Sequence, residues 1–179
     1  MIEDLTFIAQ ISIKSSVAVL LATIGGIINE RSGVLNLGIE GMMLIGALAG
    51  FAAGHFTGSP LLAVAAGTMA GGMLSLVHAL FTIGLRANQV LSGLALTILG
   101  TGMANFLGRP LIGQTGVRIR QLPIPYLSDI PVIGDVFFNQ SPFAYAAYLL
   151  VPLVWFVLFR TRTGLVLRAV GEDARSADV

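Results

Sequence analysis

The 179-residue chain is 55% hydrophobic and only 11% charged, with a mean hydropathy of +0.88. A soluble domain carries about 25% charged residues; here the shortfall is gathered into long uncharged runs, which excludes a water-soluble fold and points to a helical integral membrane protein. The net charge of +1 is neutral on nucleic acid, but few basic residues cluster and aromatics do not interleave with them, which sets nucleic-acid binding aside; the absence of cysteine excludes disulfides, thiolate metal sites and cysteine nucleophiles.

The N-terminus, MIEDL, is acidic and no small-residue cleavage site ends the first apolar run, so residues 7–28 read as a retained span. Lys14 is placed to snorkel, and Gly25 and Gly26 permit a bend or close packing. A polar knot follows, Glu30, Arg31, Ser32, Gly33 and Asn36, and then the second span, 35–53, which carries one carboxylate, Glu40. From Gly41 to Leu85 there is no acidic or basic residue other than His. A carboxylate at the entrance to such a run is costly in hydrocarbon and faces protein, water or a pathway. Asn36 and Glu40, four apart, read either as a substrate-facing pair on one helix face or as groups that tie down the Arg31 loop. Glycines recur at Gly38, Gly46, Gly50 and Gly54, a bare face suited to close helix packing in a membrane.

A turn around Gly58, Ser59 and Pro60 leads to the third span, 61–85, with Gly67 and Gly71 four apart. The fourth span, 87–108, is the most polar. Every fourth residue gives Gln89, Gly93, Thr97, Thr101 and Asn105, a line that overshoots a helical turn by about 40° per step. Asn88 and Ser92 widen its start. The line reads as pathway lining or as interhelical hydrogen bonding, the latter worth about 1 kcal/mol or less per bond. Residues 109–142 hold five prolines and form a long outer loop, yet IPYLSDIPVIGDVFF is too apolar for a solvated linker and is expected on the membrane surface or against a partner. The fifth span is 143–159, with Pro152 inside and Trp155 near an interface. The charged tail, 160–179, completes an all-α polytopic bundle of about five spans.

Chemistry is conspicuous by its absence. His55 and His78 lack ligand-spaced partners and read as an interfacial side chain and a packing residue, and no metal or cofactor is expected. There is no P-loop, no Ser-His-acid set and no dinucleotide fingerprint after a strand, so the chain is not expected to be an enzyme by itself.

ERSGVLNLGIEGMMLIGA resembles the signature of bacterial ABC-importer permeases of the branched-chain amino acid and simple-sugar class, with RANQVLSGLA, IPYLSDIPVIGDVFF and RTRTGLVLRAVGEDARSADV agreeing over essentially the whole chain. The outer loop is most similar to the nucleoside (guanosine and uridine) branch. The resemblance implies a permease subunit of an ATP-driven importer in the bacterial inner (plasma) membrane. It also implies a second permease subunit, a separate ABC ATPase that powers transport, and an extracytoplasmic substrate-binding lipoprotein. Simple sugars or branched-chain amino acids are the alternative cargoes; a passive facilitator is the competing class. The tail then corresponds to the start of the ATPase-coupling helix, with Gly164, Arg168, Gly171, Glu172, Ala174, Ala177 and Asp178 at the matching positions. The polar candidates for the substrate pathway are Asn36, Glu40, Asn88, Gln89, Ser92, Thr97, Thr101 and Asn105. Family permeases continue with further spans, so residues 1–179 are read as one transmembrane permease domain, incomplete at its C-terminus. Arg31, Arg86, Arg160, Arg162, Arg168 and Arg175 fall on one side against Arg109, Arg118 and Arg120 on the other, which places the tail in the cytoplasm and the N-terminus outside.

Overall fold

The computed structural model describes residues 1–173. The apolar runs fold as α1 (Ile2–Arg31), α2 (Ile39–Thr57), α3 (Pro60–Ala79), α4 (Gln89–Leu107) and α5 (Pro142–Arg160), followed by α6 (Arg162–Glu172). A π-turn, Leu80–Gly84, prolongs α3. With it, five helices among the described residues are long and apolar enough to cross a membrane, the all-α, five-span architecture expected from hydropathy. Local chemistry sets the helix ends. Side-chain oxygens of Ser59, Asn88 and Thr161 accept from the backbone N–H of Leu62, Leu91 and Gly164, each satisfying a donor that the first turn leaves open.

Two boundaries differ from the expected ones. α1 begins at Ile2, before the apolar run: Asp4 lies in its first turn, where a carboxylate favours the helix dipole, so the helix reaches back through the acidic residues. At its other end Glu30 and Arg31 close the helix instead of starting a loop. α2 begins at Ile39, although Leu35 and Leu37 are apolar. Gly33 has φ +81°, and the Asn36 side-chain oxygen accepts from Gly38 N–H at 2.8 Å. That bond gives the backbone an alternative to the helix ladder and holds residues 33–38 as a separate segment. Asn36 and Glu40 therefore do not share a helix face: Asn36 precedes the helix and Glu40 stands in its first turn.

The chain divides into two units, residues 33–118 and residues 1–32 with 119–179. In the first, α2 packs on α3 and on α4. A Cβ on Gly46 would stand 3.0 Å from Gly67 O, and one on Gly50 3.0 Å from Ala63 O, so α2 and α3 touch through backbone. The glycines of α2 do not form one surface, however, because Gly38 turns to α4, with Gly93 O 3.2 Å from a Cβ built there. In the second unit Val17 of α1 is buried against Ala144 and Ala147 of α5, flanked by Leu20, Leu21 and Phe143.

The outer loop has its own architecture. Two-residue strands β1 (Leu122–Pro123) and β2 (Asn139–Gln140) pair antiparallel, Leu122 opposite Gln140, beside a π-turn at Gly134–Phe138 that packs on α1. Gln140 is fully buried; its Nε2 donates to Val136 O at 2.6 Å and its backbone N–H to Tyr145 Oη, which donates in turn to Leu122 O. Residues 119–141 of the loop thus belong to the second unit: the π-turn packs on α1, Tyr145 of α5 holds the ribbon, Val136 is buried, and apolar side chains such as Tyr126, Ile133 and Phe137 stay exposed.

Candidate functional site

Two regions carry the residues singled out by the sequence. The first is the 33–38 segment and the helix ends around it. Gln89 Oε1 accepts from Leu35 N–H at 2.7 Å, while its Nε2 donates to Gly33 O at 3.4 Å. Thr97 donates to Leu37 O at 2.8 Å. His78, 3% exposed at the end of α3, bridges Leu35 O through Nε2 at 3.2 Å and Ser92 Oγ through Nδ1 at 3.1 Å. The tautomer with the proton on Nε2 satisfies both partners, since a carbonyl can only accept. Asn36 is buried, its Nδ2 toward Met42 Sδ at 3.6 Å. A segment with no ladder of its own is thereby hydrogen-bonded by side chains from two helices.

Close packing presses the same segment onto α4. A Cβ on Gly93 would lie 2.7 Å from Leu37 N and 3.0 Å from Gly38 N. One on Gly100 would lie 2.5 Å from Gly41 O, and one on Gly41 would collide with the carbonyl of Leu96. α4 accordingly presents Gln89, Ser92, Gly93, Thr97 and Gly100 to its own unit. Asn88 caps the helix through Leu91 N–H. Of the remaining pathway candidates, Glu40 and Asn105 are exposed, Thr101 is half-buried, and none of the three makes a hydrogen bond within the described residues. The slanted line on α4 is thus divided between a structural start and an uncommitted end.

The second region is the coupling segment. α6 turns back on the end of α5 so tightly that a Cβ on Gly164 would meet the backbone of Val157 and Leu158. Arg168 Nε donates to Gly164 O at 3.4 Å, and its guanidinium lies 5.0 Å over the Phe159 ring; Arg31, from the end of α1, lies over that ring at 5.7 Å. Such contacts are worth about 0.5–1 kcal/mol each when exposed. Gly164, Arg168 and Gly171 therefore occupy the inner side of α6. Its outer side carries Leu165 and Val166, each 60% exposed, with Ala169, Val170 and Glu172 also exposed. Ala174, Ala177 and Asp178 lie outside the described residues.

Sequence reasoning missed the bridging role of His78 and the Gly41–Gly100 approach. Gly93 and Gly100 are seven apart, one face of a helix two turns on, a spacing that was there to be read.

With this geometry in view, the comparison with known families is decisive. Residues 7–179 match the family described as the permease component of branched-chain amino acid transport systems. The chain belongs to this family. Among relatives of this permease, TsgC13 of Haloferax volcanii, provisionally named a glucose ABC transporter permease protein, is 43% identical over 171 residues, covering 93% of this chain and 52% of the relative. The nucleoside ABC transporter permease NupC of Lactococcus lactis is 37% identical, covering 91% and 55%. The guanosine ABC transporter permease NupQ of Bacillus subtilis is 35% identical, covering 99% and 59%. The chain spans about half the length of these relatives. No solved structure matches it. Family membership and five apolar helices together make it a multi-pass membrane protein of the ABC permease class.

Proposed function

We propose that the chain is a pathway-forming part of an ATP-driven importer of nucleosides, working with a second permease subunit, an ABC ATPase and an extracytoplasmic binding lipoprotein. The family match over residues 7–179 carries this reading, and the names of NupC and NupQ supply the cargo class. A second reading, a simple sugar, is favoured by the 43% identity to TsgC13. Both cargoes are neutral and rich in hydroxyls, which suits uncommitted amides and hydroxyls and little charge.

On this reading α6 is the coupling helix, and its exposed residues are those available to the ATPase. The outer residues Leu165, Val166, Ala169, Val170 and Glu172 form the docking face, while Gly164, Arg168 and Gly171 fix the helix to α5. A rigidly seated helix transmits a push as a body. The tail lies in the cytoplasm and the N-terminus outside, in keeping with the arginine distribution. Within the pathway set, Glu40, Thr101 and Asn105 are the groups left to face solute.

The test is ATP-dependent uptake of labelled guanosine and glucose by the intact transporter in proteoliposomes. Val166→Asp or Glu172→Lys is expected to abolish uptake while binding-protein delivery persists. Normal uptake with the ATPase still copurifying sinks the coupling assignment, and equilibration of solute without ATP would replace the importer by a facilitator.

A further inference from the structure

We propose that the cleft between the N-terminal part of α1 and the 119–141 loop binds a neutral polyhydroxylated solute, a nucleoside or a sugar. The solute class rests on the import reading; the site itself rests on the cleft. It encloses about 530 Å³, within the range of small-molecule sites. Its wall brings together Phe7, Gln10, Gln121, Asp135 and Asn139, residues that carry one aromatic ring, three carboxamides and one carboxylate. A cleft of the same volume beside α4, lined by Val77, Phe81, Leu91 and Leu99, offers almost nothing polar and suits lipid chains instead.

The fold places the carboxamide residues of the α1 cleft. Gln10 Nε2 donates to Asp135 O at 3.1 Å, which orients the amide and leaves its Oε1 as an acceptor. Gln121 directly precedes β1 and Asn139 opens β2, so the paired ribbon fixes their spacing. Neither side chain, nor the Asp135 carboxylate, has a hydrogen-bond or ionic partner among the described residues. Beneath them the Gln140–Val136 and Tyr145–Leu122 bonds hold the ribbon. Val132, also in the wall, has φ +66°, a region that a β-branched residue enters only under strain, and such strain of about 1–3 kcal/mol collects at ligand clamps.

The chemistry selects the ligand class. A carboxylate accepts two hydroxyls of a vicinal diol, carboxamides both donate to and accept from ring hydroxyls or a base edge, and a phenyl ring covers an apolar sugar or base face. No Lys or Arg lines the cleft. A phosphorylated solute would meet Asp135 without a compensating cation.

Residues 1–179 contain no cysteine, so Gln121→Cys places the one thiol of this stretch, and its labelling is read on the peptide carrying residue 121 in the intact permease–ATPase complex in nanodiscs, without binding protein. Guanosine or glucose is expected to slow its maleimide labelling several-fold. Asp135→Asn should raise the half-protecting concentration about ten-fold, the loss of a hydrogen bond to a charged group. Asn139→Cys is the second reporter if Gln121→Cys does not assemble. Absence of protection by both solutes, or protection that Asp135→Asn leaves unchanged, overturns the site. Protection without ATP-dependent uptake keeps the site and removes the import reading; uptake without protection does the reverse.

Discussion

The backbone contact between α2 and α4 can be tested by two alanines on the same helix. Gly100 and Gly102 both lie within α4, so replacing either by alanine gains the same intrinsic helix preference, up to about 1 kcal/mol. Their surroundings differ. A Cβ on Gly102 meets nothing within 4 Å, whereas one on Gly100 falls 2.5 Å from Gly41 O, 2.6 Å from its Cα and 2.7 Å from its carbonyl carbon. Those are main-chain atoms and cannot rotate away. Carbon atoms rest about 3.5–4.0 Å apart, so α4 must retreat from α2 by roughly 1 Å. The retreat also strains the Thr97–Leu37 bond of 2.8 Å and the Gly93 approach to Leu37. Overpacking of this kind costs about 1–3 kcal/mol, and in the comparison of the two variants the propensity term cancels. Unfolding of the permease in mixed micelles by SDS, followed by far-ultraviolet circular dichroism, should place Gly102→Ala at or above the parent and Gly100→Ala below it by that amount. Equal midpoints for the two variants would refute the backbone contact.

Further outcomes follow from the same structure. Thr161→Ala removes the cap of α6 and should cost about 1 kcal/mol, seen as roughly five-fold faster hydrogen exchange at Gly164 and Leu165 in nanodiscs. Gln89→Leu, which frees both Leu35 N–H and Gly33 O, should destabilise the first unit more than Thr97→Val, which frees only Leu37 O, by about 1 kcal/mol in the same SDS titration. Asn105→Leu, by contrast, should leave the unfolding midpoint within about 0.5 kcal/mol of the parent while altering uptake kinetics; an unchanged KM and maximal rate would remove it from the pathway. Gly164→Val should abolish uptake through loss of the α5–α6 turn, with α1–α5 packing retained.

Much of this fold is legible in the sequence because hydrophobic length is a strong signal: all five spans emerge from apolar runs alone. What remained hidden is where several residues compete for the same backbone. Leu35 and Leu37 look like the start of a span, and only the Asn36–Gly38 bond together with the +81° φ of Gly33 keeps them out of α2. The glycines of α2 announce close packing, but the sequence does not say that Gly38 and Gly41 serve α4 while Gly46 and Gly50 serve α3, since the choice depends on how three helices meet. The β1–β2 ribbon is two residues long and is fixed by Tyr145 from α5, a tertiary bond with no local signature. In the candidate site, the polar residues of α4 were visible as a set. Their separation into those that bind the 33–38 segment and those that do not was invisible, because identical side chains serve either purpose.

That separation bears on how this chain could help to pass a polar solute. Between membrane helices there is no hydrophobic drive to association, so the 33–118 unit relies on main-chain contact at glycines and on hydrogen bonds from Gln89, His78, Ser92 and Thr97. Each of these side chains is spent on the protein itself, and withdrawing one for a passing solute would cost the net worth of a hydrogen bond, about 0.5–1.5 kcal/mol. On the import reading the pathway candidates this unit leaves for the solute are Glu40, Thr101 and Asn105. A nucleoside or sugar shedding its water needs more partners than three, so the rest of the lining must come from outside this unit. Within this chain, Gln121, Asn139 and Asp135 of the other unit are groups of the required kind.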